Sequence, residues 1–180
     1  MELIDDIGSQ LEDRFLPLIK NIYENAIEGS WFKATLQGQN TLKGSLRIVE
    51  ASGYKNFVKS VTSGCVVGCY FPTAFQEYDI KSQRNQINIL PKNENFNICL
   101  SGHIEASYSL IMYPNLLFSP KYYSPILCLS ALEHEDPRMI PIIKSYGPHL
   151  EFWLLSQMMT SSQTQVSEQW SGGITLYRNI

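Results

Sequence analysis

Between residues 9 and 28, apolar side chains recur at Leu11, Phe15, Leu18, Ile22 and Ala26. Steps of four, three, four and four place them on one stripe of an α-helix, which Ile19 and Tyr23 widen. Pro17 has no backbone N–H, so it kinks this helix or marks its start near Arg14 or Phe15; Gly29 fits its stop. From residue 31 the period shortens toward two. Strands are expected at 31–37 (WFKATLQ) and 44–50 (GSLRIVE), followed by a turn at 51–54. A short helix follows over 54–61, with Tyr54, Phe57, Val58 and Val61 on one face and Lys55 and Lys59 on another. CVVGCYF (65–71) reads as a buried strand with Gly68 as a possible bulge.

The polar run QEYDIKSQRNQ (76–86) reads as an exposed loop, and Pro91 ends the INIL that follows it. Over 96–113, Ile98 and Leu100 alternate on one arm, while Ile104, Ala106, Tyr108, Leu110 and Met112 alternate on another. Ser101-Gly102 between them predicts a hairpin. Pro114, Pro120 and Pro125 break residues 114–132 into a loop bearing Leu116, Leu117, Phe118, Tyr122 and Tyr123, whose joint exposure would mark a contact surface. Asp136-Pro137 predicts the cap and first turn of a short helix over 136–146. Residues 149–159 suit either a buried strand or a helix, 160–169 a polar loop, and 173–180 a closing strand. No internal repeat is evident. The elements predict one α+β domain, with residues 1–29 as a helical segment able to serve as a self-association arm and 30–180 as the globular core.

Composition narrows the function classes. A chain of 180 residues with 44% hydrophobic residues can bury a core, and a formal charge of -3 argues against a uniformly basic nucleic-acid coat. The charge is unevenly placed. Residues 1–29 carry Glu2, Asp5, Asp6, Glu12, Asp13, Glu24 and Glu28 against Arg14 and Lys20; residues 30–60 carry Lys33, Lys43, Arg47, Lys55 and Lys59 against Glu50. These are either two ordinary solvated faces or an acidic segment of one copy that meets a basic region of another. The opening MELIDDIG lacks the basic start and apolar run of a secretory signal, and no window of about 18 apolar residues occurs. Cys65, Cys69, Cys99 and Cys128 are accordingly expected as buried thiols of a protein made in the cytosol.

Catalytic patterns are weak. Cys65 and Cys69 have no second ligand pair at zinc spacing, so no metal or other cofactor is expected. Neither a nucleophile elbow nor a phosphate loop occurs. Cys99 and His103 could approach each other but lack an activating acid, and EHED (133–136) suits a cap and a solvated turn. What remains is surface: a basic patch of Lys43, Arg47, Lys55 and Lys59, an apolar loop and an amphipathic helix. Charge and exposed apolar groups together are what an anionic membrane face attracts.

Three segments carry a family resemblance. LKGSLRIVEASGYKNFVKSV (42–61) resembles the first core strand, turn and helix of rhabdovirus matrix proteins; NFNICLSGHIEASYSLIMY (95–113) is similar to their later hairpin, and WSGGITLYRNI (170–180) to their final strand. The resemblance implies a compact α+β core with a curved antiparallel sheet packed against helices. It implies a structural, non-enzymatic role in the virion, between envelope and nucleocapsid. Such proteins occupy the host cytoplasm and the inner membrane face, self-associate, bind anionic lipid and condense the nucleoprotein–RNA complex during budding. The expected partners are therefore a second copy, an anionic membrane and that complex, with no small-molecule substrate. Self-association would use Leu11, Phe15, Leu18 and Ile22. The chain lacks the Lys-rich N-terminus and Pro-Pro-x-Tyr motif of animal-infecting members, as would suit a plant-infecting one. A different class, a ligand- or peptide-binding module or host-directed effector, would use Trp31, Phe32, Tyr108, Phe152 and Trp153 to line a pocket.

Overall fold

The computed structural model describes residues 6–36, 38, 40–91, 94–121, 124–156 and 170–180. Tyr122, Tyr123 and the expected polar loop 160–169 lie outside them.

The first element is interrupted where one helix was expected. α1 (Ile7–Ser9) passes into a π-helical stretch (Gln10–Phe15), which passes into α2 (Leu16–Ala26). Leu16 N–H bonds back to Leu11 O, five residues away, just ahead of Pro17. The wider turn accommodates a residue that cannot donate and whose ring would crowd the carbonyl four residues back. It also resets the face. The buried stripe runs Ile7, Leu11, Phe15, Ile19 and Tyr23, in steps of four, while Leu18 is 40% exposed and Ile22 half-buried. The expected single amphipathic helix is thus corrected to a broken run with a different inner face.

The sheet is corrected too. β1 (Trp31–Thr35), β8 (His149–Ser156), β7 (Met139–Tyr146), β5 (Ile126–Cys128) and β9 (Trp170–Gly172) form an open five-stranded sheet in the order β1-β8-β7-β5-β9. β1 runs parallel to β8 and β9 parallel to β5, so the sheet is mixed, in place of the curved antiparallel one. Apolar alternation is the same in parallel and antiparallel strands, so the pattern carried no direction. One face, with Ile143, Leu150, Phe152 and Leu154, joins the main core with Leu11, Phe15, Ile19 and Tyr23; the other holds a small cluster of Ile80, Cys128, Ile140, Ile142 and Trp170.

Three further readings change. Residues 103–112 form α5 (His103–Met112), not a hairpin arm. Gly102 is its N-cap, and the Glu105 side chain reaches back to accept the Gly102 N–H. Its buried positions are His103, Glu105, Ala106, Ser107 and Leu110, so polar residues lie inside and Tyr108 and Met112 outside. Residues 139–146 form the central strand β7, not a helix, because Asp136 is engaged by Arg138 in the preceding turn rather than capping. Residues 80–89 form α4 (Ile80–Ile89), not a loop, capped by Asp79, which accepts from Ser82 N–H at 2.6 Å.

The basic segment over 44–61 folds as expected: β2 (Leu46–Ile48), a 3-10 turn at Glu50–Ser52, and α3 (Tyr54–Ser63). Gly53 sits at φ 73°, and a side chain there would also meet Ile98 O at 2.5 Å. β2 pairs with β6 (Leu132–His134). β3 (Val66–Phe71), β10 (Ile174–Asn179) and β4 (Asn97–Leu100) form an antiparallel sheet in the order β3-β10-β4. β3 is mostly exposed rather than buried, as are Cys69 within it and Cys65 just before it, and it pairs regularly through Gly68 without a bulge.

Candidate functional site

The basic patch divides in two. Lys43 Nζ lies 2.9 Å from Asp13, and Arg47 Nε 2.7 Å from Glu133 across the β2–β6 pair. The Asp13 carboxylate, with Glu12 and Asp6 nearby, raises the Lys43 pKa. Lys55 and Lys59, on the solvent side of α3, have no carboxylate partner among the described residues.

The Lys43 contact belongs to a larger clamp between the acidic start of the chain and the loop at 41–44. Glu12 Oε2 accepts from Leu42 N–H and the Thr41 hydroxyl, both at 2.7 Å, and Asp6 Oδ1 accepts from Gly44 N–H at 3.0 Å. Gly8 lies so close that a Cβ there would stand 1.8 Å from Leu42 O. Acidic and basic segments therefore meet within one chain. Of the expected self-association residues, Leu11 and Phe15 are in the core, Ile22 is half-buried and Leu18 is open to solvent.

In the apolar loop, Leu117 is buried, Phe118 half-buried and Leu116 exposed. Leu116 continues a surface that the alternation of residues 104–112 disguised. Tyr108 and Met112, one helical turn apart on α5, are 45% and 68% exposed, and Tyr113 just beyond is 65% exposed. The Phe15 ring packs edge-on against Tyr108 at 5.6 Å, which brings the end of the π-helical stretch alongside. The helical spacing of Tyr108 and Met112 was the available signal, hidden because both also fit a period of two.

Beneath α5 lies a buried polar cluster. His103 Nε2 donates to Gln10 Oε1 at 2.8 Å, and its Nδ1 lies 3.3 Å from the Tyr54 hydroxyl, which accepts the Ile104 N–H. Desolvation lowers the His103 pKa to about 4 and raises that of Glu105 to about 7. Cys99 is buried, and desolvation pushes its thiol far above the ordinary range, so it is no nucleophile. His103 engages Tyr54 and Gln10, so the Cys99–His103 reading gains no geometry. In EHED, Glu133 holds Arg47, His134 Nδ1 accepts the Asp136 N–H, and Arg138 brings Asp136 down to about 2. The aromatic set does not line one pocket. Phe32 and Phe152 are core, and the Trp153 ring carries Lys144 Nζ at 3.8 Å from its centroid.

Among the described residues, no cluster of three or more His, Cys, Asp or Glu could hold a metal ion, and no helix is long and apolar enough to cross a membrane. The chain matches no family model, no curated protein and no solved structure.

Proposed function

We propose that this chain is a structural protein of the matrix kind. It lies against the anionic inner face of a membrane, associates with itself, and engages a nucleoprotein–RNA complex as virions assemble and bud. The observation that carries the reading is the exposure of Tyr108 and Met112, one turn apart on α5, together with Tyr113 and Leu116 in the turn that follows it. Single exposed apolar residues are ordinary, but four gathered over a helix and the turn after it suit a contact surface. Met and Tyr suit the membrane interface, since each inserts an apolar body and Tyr keeps its hydroxyl wet. Lys55 and Lys59 supply free positive charge on a second rigid helix. The resemblance now rests on the strand-turn-helix and the closing strand, because its hairpin segment is a strand followed by a helix.

Flotation with phosphatidylcholine vesicles, with and without phosphatidylserine, tests it. The chain is expected to bind the anionic vesicles, and binding should weaken as salt rises. At about 1 kcal/mol per lysine, Lys55→Ala with Lys59→Ala should reduce partitioning roughly 30-fold at low salt. Met112→Ser with Tyr113→Ser should reduce it further without lowering the melting temperature. Binding indifferent to both pairs of substitutions ends the reading.

One observation favours the binding-module alternative: a groove of about 510 Å³ beside β4, where Asn56, Asn88 and Asn97 present amides next to Phe96 and Ile98. Chemical-shift changes at those asparagines on adding short peptides, with no vesicle binding, would favour it.

A further inference from the structure

We propose that β3 is the self-association surface, and that two copies pair antiparallel along their β3 edges about Gly68. The inference rests on the self-association part of the proposed function and moves it away from the N-terminal run. β3 is the outer strand of the β3-β10-β4 sheet. Ile180 N–H donates to Cys65 O, extending the β10 ladder by one pair. Alternation along the strand then turns the backbone groups of residues 65, 67, 69 and 71 toward β10 and those of Val66, Gly68 and Tyr70 toward the free edge.

The other outer strands of the two larger sheets are protected. β9 exchanges hydrogen bonds with the loop at Phe75 and Glu77, the Gly53 turn packs on the Ile98 carbonyl of β4, and β1 carries exposed Lys33 at its centre. β3 has no charge, no proline and no bulge, the devices that ordinarily keep an edge from pairing. Its outward face adds Val67, Cys69 and Phe71, all exposed. Among the described residues these outward donors and acceptors have no hydrogen-bond partner, and in strand register they call for another strand.

A second β3 satisfies that requirement. An uncharged strand meets its own copy without repulsion. Centring the two-fold axis on Gly68 pairs Val66 with the partner's Tyr70 and Gly68 with the partner's Gly68, so every free-edge group is used. Val67 then stands opposite the partner's Cys69 in a non-hydrogen-bonded pair, with Cα atoms about 4.5 Å apart. A six-residue edge is a small contact beside the about 800 Å² per partner of a standard interface, so the dimer is expected to be weak and concentration-dependent.

Sedimentation equilibrium of the full chain without lipid, over a wide concentration range, is the test. Wild type should dimerise, and Val67→Lys with Phe71→Lys, at exposed positions, should weaken dimerisation roughly tenfold or more while keeping the melting temperature. Mild oxidation of Val67→Cys should give a covalent dimer through Cys69 of the partner subunit, lost when Cys69→Ser is added. If wild type dimerises but the lysine variant does so equally, or Val67→Cys gives no such crosslink, the edge assignment fails and self-association stands. A wild type that stays monomeric at the highest concentration overturns both. Slow amide exchange at Val66, Gly68 and Tyr70 in a monomer would show the edge covered by another segment and also overturn the assignment.

Discussion

His103 and Glu105, two residues apart at the start of α5, are buried with opposite consequences for pH. Glu105 in the fold titrates near 7, above its ordinary 4.5, so the folded chain holds a proton that the unfolded chain has released. Its contribution is full below about 4.5 and is lost as pH rises through 7. His103 titrates near 4, below its ordinary 6.5, so its contribution is full above about 6.5 and is lost as pH falls through 4. The two slopes oppose between about 4.5 and 6.5, and wild type should be nearly flat there in urea midpoint. Glu105→Gln should make stability fall toward acid, on the order of 1 kcal/mol per pH unit, and His103→Gln should make it rise. Parallel pH profiles for the two variants would contradict this. Packing gives a second contrast. Phe15 is buried against the rings of His103 and Tyr108, so Phe15→Ala should cost about 3–5 kcal/mol, whereas Leu18→Ala at an exposed position should cost under about 1 kcal/mol. Denaturant unfolding of the two variants checks the inner face of the N-terminal run.

Among the elements, the strand-turn-helix over 44–63 was legible because its determinants are local: Gly53 for the left-handed turn, and Tyr54, Phe57 and Val58 at helical spacing. The misread elements share a cause. In α5 the inner face is His103, Ala106, Ser107 and Leu110, and two tyrosine and methionine positions point outward, so hydrophobicity inverted the pattern that marks a buried face. In β7 the Asp-Pro pair imitates a helix start, but Asp136 turns back to Arg138. The free lysines of the candidate site were legible as charges. That Lys43 and Arg47 are held by Asp13 and Glu133 depends on segments distant in sequence, and no local pattern reveals it. The clamp at 41–44 offers a direct check. Gly8→Ala places a methyl group against Leu42 O, and should destabilise by about 1–3 kcal/mol while speeding amide exchange at Leu42 and Gly44. An unchanged melting temperature would show that the clamp yields freely.

At the scale of the whole molecule, three surfaces lie apart from the buried polar cluster: the lysine side of α3, the apolar end of α5 and the β3 edge. The first two suit a membrane face and the third a second copy, so lipid binding and self-association should be separable by substitution. Vesicle flotation of the β3 lysine variant, set beside sedimentation of the α3 alanine variant, measures this; each is expected to lose one property only. Of these surfaces only the lysines of α3 were readable, and the direction of the strands was not, because parallel pairing joins segments far apart in the chain.

That pairing has a kinetic consequence. Trp31 lies beside His149, so the first strand of the large sheet waits, as the chain is made, until its partner leaves the ribosome. Until then Trp31 and Phe32 have no sheet to join, and α2 lacks α5, which emerges some 80 residues after it. Such long-range closure places folding in the millisecond-to-second range rather than microseconds. Nascent chains stalled before residue 149 should be open to protease throughout β1, and chains in which β8 has fully emerged should become resistant in a single late step.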